Sequence, residues 1–346
     1  MTESSPQELH LLYVLLDSNL PTGGFVSSSG LESYAKHGFL SPIPPSYTSL
    51  SSSSTLEGTR VEKRSVSEGI VEFARAEVRN YSATSCGFVV DAWRIVERAL
   101  TRLATGSEVD GEDEIEDIVH DIIRLDKYNE ATLLSHVARR SSKAQGVAML
   151  TLYSRGLSHP AGISSPRNTP DQSEDEEGTE GTQRREEVAK KIIDAYKKKI
   201  RGNRSPGHLG VCWGVMTACL GLSLDRSIHL HLFLHARSLL SSAVRLNLIG
   251  PYASSQLLLH PFKGIIEDQV DHLRREGYLD LDRDHTTSDR HSEEARKPRG
   301  KKEEEEEDFW SWADDTHHHQ GPMTTWPLGE ILTSRHDLQH SRIFNS

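Results

Sequence analysis

Cysteine is scarce in this chain. Cys86, Cys212 and Cys219 are the only three in 346 residues, an odd and widely spaced set that suits a reducing compartment better than a disulfide scaffold. Long hydrophobic runs are missing too: none approaches the roughly 18 apolar residues that span a bilayer. Residues 1–7 are polar where a secretory leader would begin, so a soluble, cytoplasmic protein without membrane contact is expected. Positive charge is in deficit, with 40 Lys and Arg against 51 Asp and Glu and a net charge of −11. No clustered basic face stands out, and nucleic acid is therefore not an expected partner. No stretch alternates with a period of two, and no Asn-Gly turn joins β-branched runs, so strands are not expected either.

The signatures of catalysis are equally thin. No Gly-x-Ser-x-Gly elbow occurs, which removes the usual mark of a serine hydrolase. The loop Thr22-Gly23-Gly24-Phe25-Val26-Ser27-Ser28-Ser29-Gly30 has glycine amides ahead of a helix, but no Lys-Ser/Thr pair follows its second glycine and no strand precedes it. It reads as a loop that brings two helices close. No catalytic residue is assigned, and the chain is not expected to be an enzyme.

What the chain does contain is helical periodicity, and the expected fold class is all-α, a single multi-helix domain with long disordered insertions. Leu9, Leu12, Tyr13 and Leu16 mark a first helix, which Pro21 and Gly23-Gly24 end; a short second helix is expected around residues 29–36. Ser65 and Glu68 have capping-box spacing ahead of Val66, Ile70, Phe73 and Ala74. Further amphipathic helices carry Trp93, Val96, Leu100 and Leu103, then Ile115, Ile118, Val119 and Ile122, then Leu133 through Leu152, then Val188 through Ile200. Residues 209–222 are apolar all round, as a central buried helix would be. Asp225 is the expected N-cap of the next helix, Pro251 the first residue of another, and Pro261 must interrupt that one. The helical body is placed at residues 7–279, with solvated insertions at about 41–64 and 158–183. An acidic, His-bearing linker follows at 280–320, and a docking segment at 321–346. The insertions are rich in Ser, Pro and acidic residues and cannot bury enough apolar surface to offset ordering.

Metal ligation has three candidates. His208, Cys212 and Cys219 recur near whole helical turns, with Met216 nearby, a soft-donor stripe; cysteines on an apolar helix also serve as small core residues. His231 and His235 lie four apart among leucines, which favours packed imidazoles. The triplet His317, His318 and His319 beside Asp314 and Asp315 offers exposed but loosely held donors. Arg237 and Arg245 share a helix with Ser238, Ser241 and Ser242 between them; the guanidinium of Arg245 suits a partner surface.

Two segments carry a resemblance. Near its start the chain reads Asp17-Ser18-Asn19-Leu20-Pro21-Thr22-Gly23-Gly24-Phe25, running on to Gly30-Leu31-Glu32, and it closes with Ser341-Arg342-Ile343-Phe344-Asn345-Ser346. An apolar and basic hexapeptide behind a long acidic spacer is hard to explain as core and reads as a docking tail. Together with Ala243-Val244-Arg245-Leu246-Asn247-Leu248-Ile249-Gly250 and Gln256, these segments resemble the UreF family of urease accessory proteins, the all-helical scaffold of the nickel-insertion machinery. The match also touches residues 130–152 and 208–222. Asn247 stands where the family commonly has glycine, as does Ser255, and the three insertions resemble those of eukaryotic, fungal members. The resemblance implies a cytoplasmic homodimer without an active site or a firmly bound cofactor. It would join a UreD/UreH-type accessory protein and the GTPase UreG, with nickel in transit to the urease apoprotein. Carried over to this sequence, the partner-binding residues are Pro21, Gly23, Gly24, Phe25, Glu32, Arg245, Gln256, Arg342, Ile343, Phe344 and Ser346. The alternative is a metallochaperone that binds nickel directly through His and Cys side chains.

Overall fold

The computed structural model describes residues 6–17, 20, 28–40, 65–104, 111–158, 176–280 and 322–339. They are helical throughout, without a strand among the described residues. The order is α1 (Pro6–Leu15), α2 (Leu31–Lys36), α3 (Val66–Tyr81), α4 (Gly87–Ala104), α5 (Gly111–Thr132) and α6 (His136–Leu152). Then come α7 (Glu176–Arg201), α8 (Leu209–Cys219), α9 (Leu224–Arg245), α10 (Pro251–Leu259), α11 (Pro261–Arg275) and α12 (Pro327–Ser334). A π-turn at Ser82–Cys86 joins α3 to α4, a second at Tyr153–Leu157 closes α6, and a 3-10 turn at His336–Leu338 follows α12.

α8 is the axis. Its residues from Gly210 to Ala218 are buried all round, because α4, α5, α6, α7 and α9 all touch it. Two glycines set how closely the neighbours come: a methyl group on Gly214 would overlap the Val89 carbonyl of α4, and one on Gly146 of α6 would overlap the Gly207 carbonyl just ahead of α8. Trp93 and Trp213 fill the core and spend their indole N–H groups on the Leu222 and Ser227 carbonyls, which removes the cost of burying an unmade donor. The turn from α7 into α8 is tied by Asp126, whose wholly buried carboxylate accepts from the Tyr196 and Ser205 hydroxyls and from the Gly207 and His208 amides.

Local signals explain most helix ends. Ser65 Oγ accepts from the Glu68 amide, and Glu68 Oε2 accepts from the Ser65 amide at 2.8 Å, a complete capping box. Pro251 and Pro261 each occupy a first helical turn, and the chain breaks between α10 and α11 at His260. Asn247 has φ +56, a left-handed conformation that asparagine tolerates better than most residues and glycine adopts freely. That accounts for an asparagine where the family has glycine. Two expectations need correcting. Ser223, not Asp225, is the N-cap of α9; Ser223 is held by Glu8 of α1, and Asp225 in the first turn instead pairs with Arg274 at 2.7 Å. α7 begins at Glu176, inside the stretch assigned to an insertion, because an acidic sequence favours a helix start where unpaired amides carry partial positive charge. The remainder of the three insertions lies outside the described residues.

Candidate functional site

The N-terminal signature and the C-terminal segment meet on one face. Ser29 and Gly30 both take positive φ, +50 and +86, turning the chain into α2, where Ser28 Oγ accepts from the Glu32 amide. A side chain at Gly30 would press on Leu332 and Thr333 of α12, so glycine there serves both the backbone conformation and the close approach. Leu31 and Glu32 are buried, and Lys36 Nζ donates to Glu32 Oε1 at 2.8 Å. Glu32 is therefore buried and paired within its own helix and does not present itself at the surface.

Residues 322–339 cross this face as a strap. Asn80 Oδ1 on α3 accepts from the Thr324 hydroxyl and from the Thr325 and Trp326 amides at 2.9, 2.9 and 3.2 Å. Trp326 meets Phe73 edge-on at 5.3 Å and Tyr34 at 6.4 Å between ring centroids. Leu332 is 1% exposed. At the far end Asp337 accepts from Arg140 Nη2 at 2.7 Å and lies 2.9 Å from His136 Nε2; Arg140, then His136, holds its carboxyl below the usual range. Gln339 Nε2 donates to Ser33 Oγ of α2 at 3.0 Å, across 306 positions of sequence. Gln339 is the last described residue, and its bond to Ser33 sets the described end of the strap against α2.

Beneath the strap lies a cavity of about 130 Å³. α3 contributes Glu77 and Tyr81, the first π-turn Ser85, α9 His231 and His235, and α12 Glu330. Tyr81 stacks on His235 with 3.7 Å between ring centroids and 5° between planes, and His231 Nε2 lies 3.0 Å from Ser85 Oγ. Burial pushes both imidazoles down to about 3, His231 further affected by His235. Burial also pushes the Glu77 carboxyl up to about 8 and the Tyr81 hydroxyl upward. His235 Nε2 lies 3.4 Å from Glu77 Oε1 and makes no hydrogen bond. Distance alone would make this an ion pair, but charging two groups so deeply buried outweighs their attraction at that geometry, and the contact is between neutral groups.

The soft-donor stripe is spent on structure. His208 caps α8 and has Glu130 and Ser142 at its two ring nitrogens, at 2.6 and 3.1 Å. Cys212 approaches the Tyr196 hydroxyl and Cys219 the Ala189 carbonyl. Burial raises the thiols of both, and that of Cys86 to about 12, against the thiolate a metal needs. Among the described residues no three His, Cys, Asp or Glu side chains gather in a way that could hold a metal ion. Arg237 donates to the Leu16 carbonyl, tying α1 to α9. Arg245 ends α9 and Gln256 sits on α10, both exposed. Pro21, Gly23, Gly24, Phe25, Arg342, Ile343, Phe344, Ser346 and the triplet His317, His318 and His319 lie outside the described residues.

A sequence model of the UreF family matches residues 67–261, the helical body from α3 through α10. The chain belongs to the UreF family. It is 55% identical over 344 residues to urease accessory protein 6 of Cryptococcus neoformans var. grubii, an alignment spanning 99% of this chain and 98% of the relative. It is 26% identical over 261 residues to a protein of Schizosaccharomyces pombe described as an uncharacterized UreF-like urease accessory protein, over 75% of this chain and 81% of that one. The UreF match stops short of both α2 and the strap, so the converging face is assembled from segments flanking the matched core.

Sequence reasoning missed Asn80, Arg140, His136 and Asp337, whose partners lie about 200 positions or more away; nothing local marks them. Glu77 did leave a signal. It falls on the apolar stripe of α3 with Ile70, Phe73, Ala74 and Val78, and a carboxyl on such a stripe announces a buried polar site.

Proposed function

We propose that this UreF-family member is a non-catalytic scaffold in urease maturation, joining a UreD/UreH-type protein and the GTPase UreG so that nickel reaches the urease apoprotein. Family membership supports the maturation role. The observation that supports the scaffold reading is the hydrogen bond from Gln339 to Ser33, which sets the described end of the strap against α2, where the N-terminal signature ends. Ile331 and Leu338 of that strap stay 59% and 67% exposed, apolar surface open to a partner. Interfaces draw most of their energy from a few such anchors.

Self-association through α10 belongs to the same proposal. That helix has no buried residue, and Tyr252 and Leu259 are 89% and 65% exposed beside Gln256. No helix among the described residues is long and apolar enough to cross a membrane, in keeping with a cytoplasmic role. Co-purification with tagged UreD/UreH-type and UreG proteins tests the reading: the chain is expected to bridge the two. Failure to capture either, together with tight stoichiometric nickel binding by the isolated chain, would favour the metallochaperone.

A further inference from the structure

Glu77 and Glu330 line one cavity from opposite sides, and they belong to different mechanical parts. Glu77 is fixed on α3, whereas Glu330 rides on the strap, which returns to the body only after residues 281–321. Asn80 stands between them, gripping the strap through Oδ1 and hydrogen bonding the Glu330 carboxyl. We propose that residues 322–339 are a latch over this cavity that stays closed while the Glu77 carboxyl keeps its proton and lifts when alkaline pH removes it.

The surroundings leave an ionised Glu77 without compensation. Its own helix offers Tyr81, the π-turn the uncharged Thr84 and Ser85, α9 His231 and His235, and α12 Glu330. None is a cation at neutral pH: the imidazoles are held neutral by burial, and the tyrosine can only add negative charge. The lining from α5, α6 and α8 is uncharged, with Asn129, Ser141 and Trp213 among it. Burial pushes the Glu330 carboxyl up; the Asn80 bond opposes it, and the nearness of Glu77 adds a smaller upward push. Two carboxylates across a small buried space repel, and the element that yields is α12, an eight-residue helix with only Gly329 and Leu332 buried, and not α3, which is built into the core.

The sign follows from the direction of the shift. Glu77 sits near 8 when covered, above its ordinary 4.5, so closure is fully favoured below the ordinary value and loses its advantage as pH rises through about 8. An open latch releases Gln339 from Ser33. The latch stands on the isolated chain and needs no partner, so its failure leaves the scaffold reading untouched.

Hydrogen exchange of the full chain between about pH 6.5 and about pH 9, corrected for intrinsic exchange rates, tests it. Amide protection across residues 322–339 should fall about tenfold or more over that interval while α8 keeps its own. Glu77→Gln should abolish most of the fall, because its amide cannot ionise. Glu330→Gln, whose amide oxygen can still accept from Asn80, should reduce it at least about threefold. Protection that ignores pH in the unaltered chain overturns the proposal, and so does a fall of equal size in Glu330→Gln, whether or not Glu77→Gln folds.

Discussion

Gly146 carries no chemistry, yet it decides how α6 meets the entry to α8. A methyl group there would overlap the Gly207 carbonyl and crowd the His208 backbone, neither of which can swing aside as a side chain can. Gly146→Ala is expected to destabilise the chain by about 2 kcal/mol or more through overpacking, read as a lowered denaturation midpoint. Titration supplies a second prediction at this scale. Imidazoles pushed down to about 3 contribute stability that is present above their ordinary 6.5 and is lost as pH falls toward the folded value. Each ring costs up to about 1.4 kcal/mol per pH unit on that descent, and the raised Glu77 offsets about one of them. The share of stability from Glu77, His231 and His235 should therefore decline between about pH 6.5 and about pH 4 with the slope of about one proton, and His208, His229 and His336, which burial also pushes down, steepen the decline. Denaturant titrations across that range check it, and a flat profile would mean that the histidines are not held neutral. Sequence alone exposed the His231 and His235 spacing and the leucines that argued for packing, which is where the structure puts them. It could not show Tyr81 stacked on His235 or Glu77 beside it, because those neighbours come from another helix.

Helices were legible in proportion to how local their causes are. The capping box of α3 and the prolines opening α10 and α11 act within one turn, and each stands where the residues indicated. The start of α9 was misplaced because Glu8, more than 200 positions away, draws Ser223 into the capping place. The strap was the hardest to foresee: its hold depends on Asn80, Arg140 and Ser33, and no periodicity in residues 322–339 names them. α10 gives a prediction of its own. A nine-residue helix with no buried residue, offering Tyr252 and Leu259 outward, leaves apolar surface that a second copy can cover. Tyr252→Glu should shift sedimentation of a dimer toward monomer while leaving helical content unchanged. An unaltered sedimentation profile would place self-association elsewhere.

At the scale of the whole molecule, the α8-centred body is a mount for two chain ends. It holds α2 by burying Leu31 and Glu32, and it holds the strap through Asn80, Trp326 and Asp337. The described end of the strap thus lies against α2. The most direct measurement compares capture of a tagged UreD/UreH-type partner by the full chain and by a chain lacking residues 341–346, with far-UV circular dichroism on both. The account predicts unchanged helical signal and loss of capture, since the removed Ile343, Phe344 and Arg342 include anchors that each cost about 2 kcal/mol or more when truncated. Equal capture by the shortened chain would contradict it.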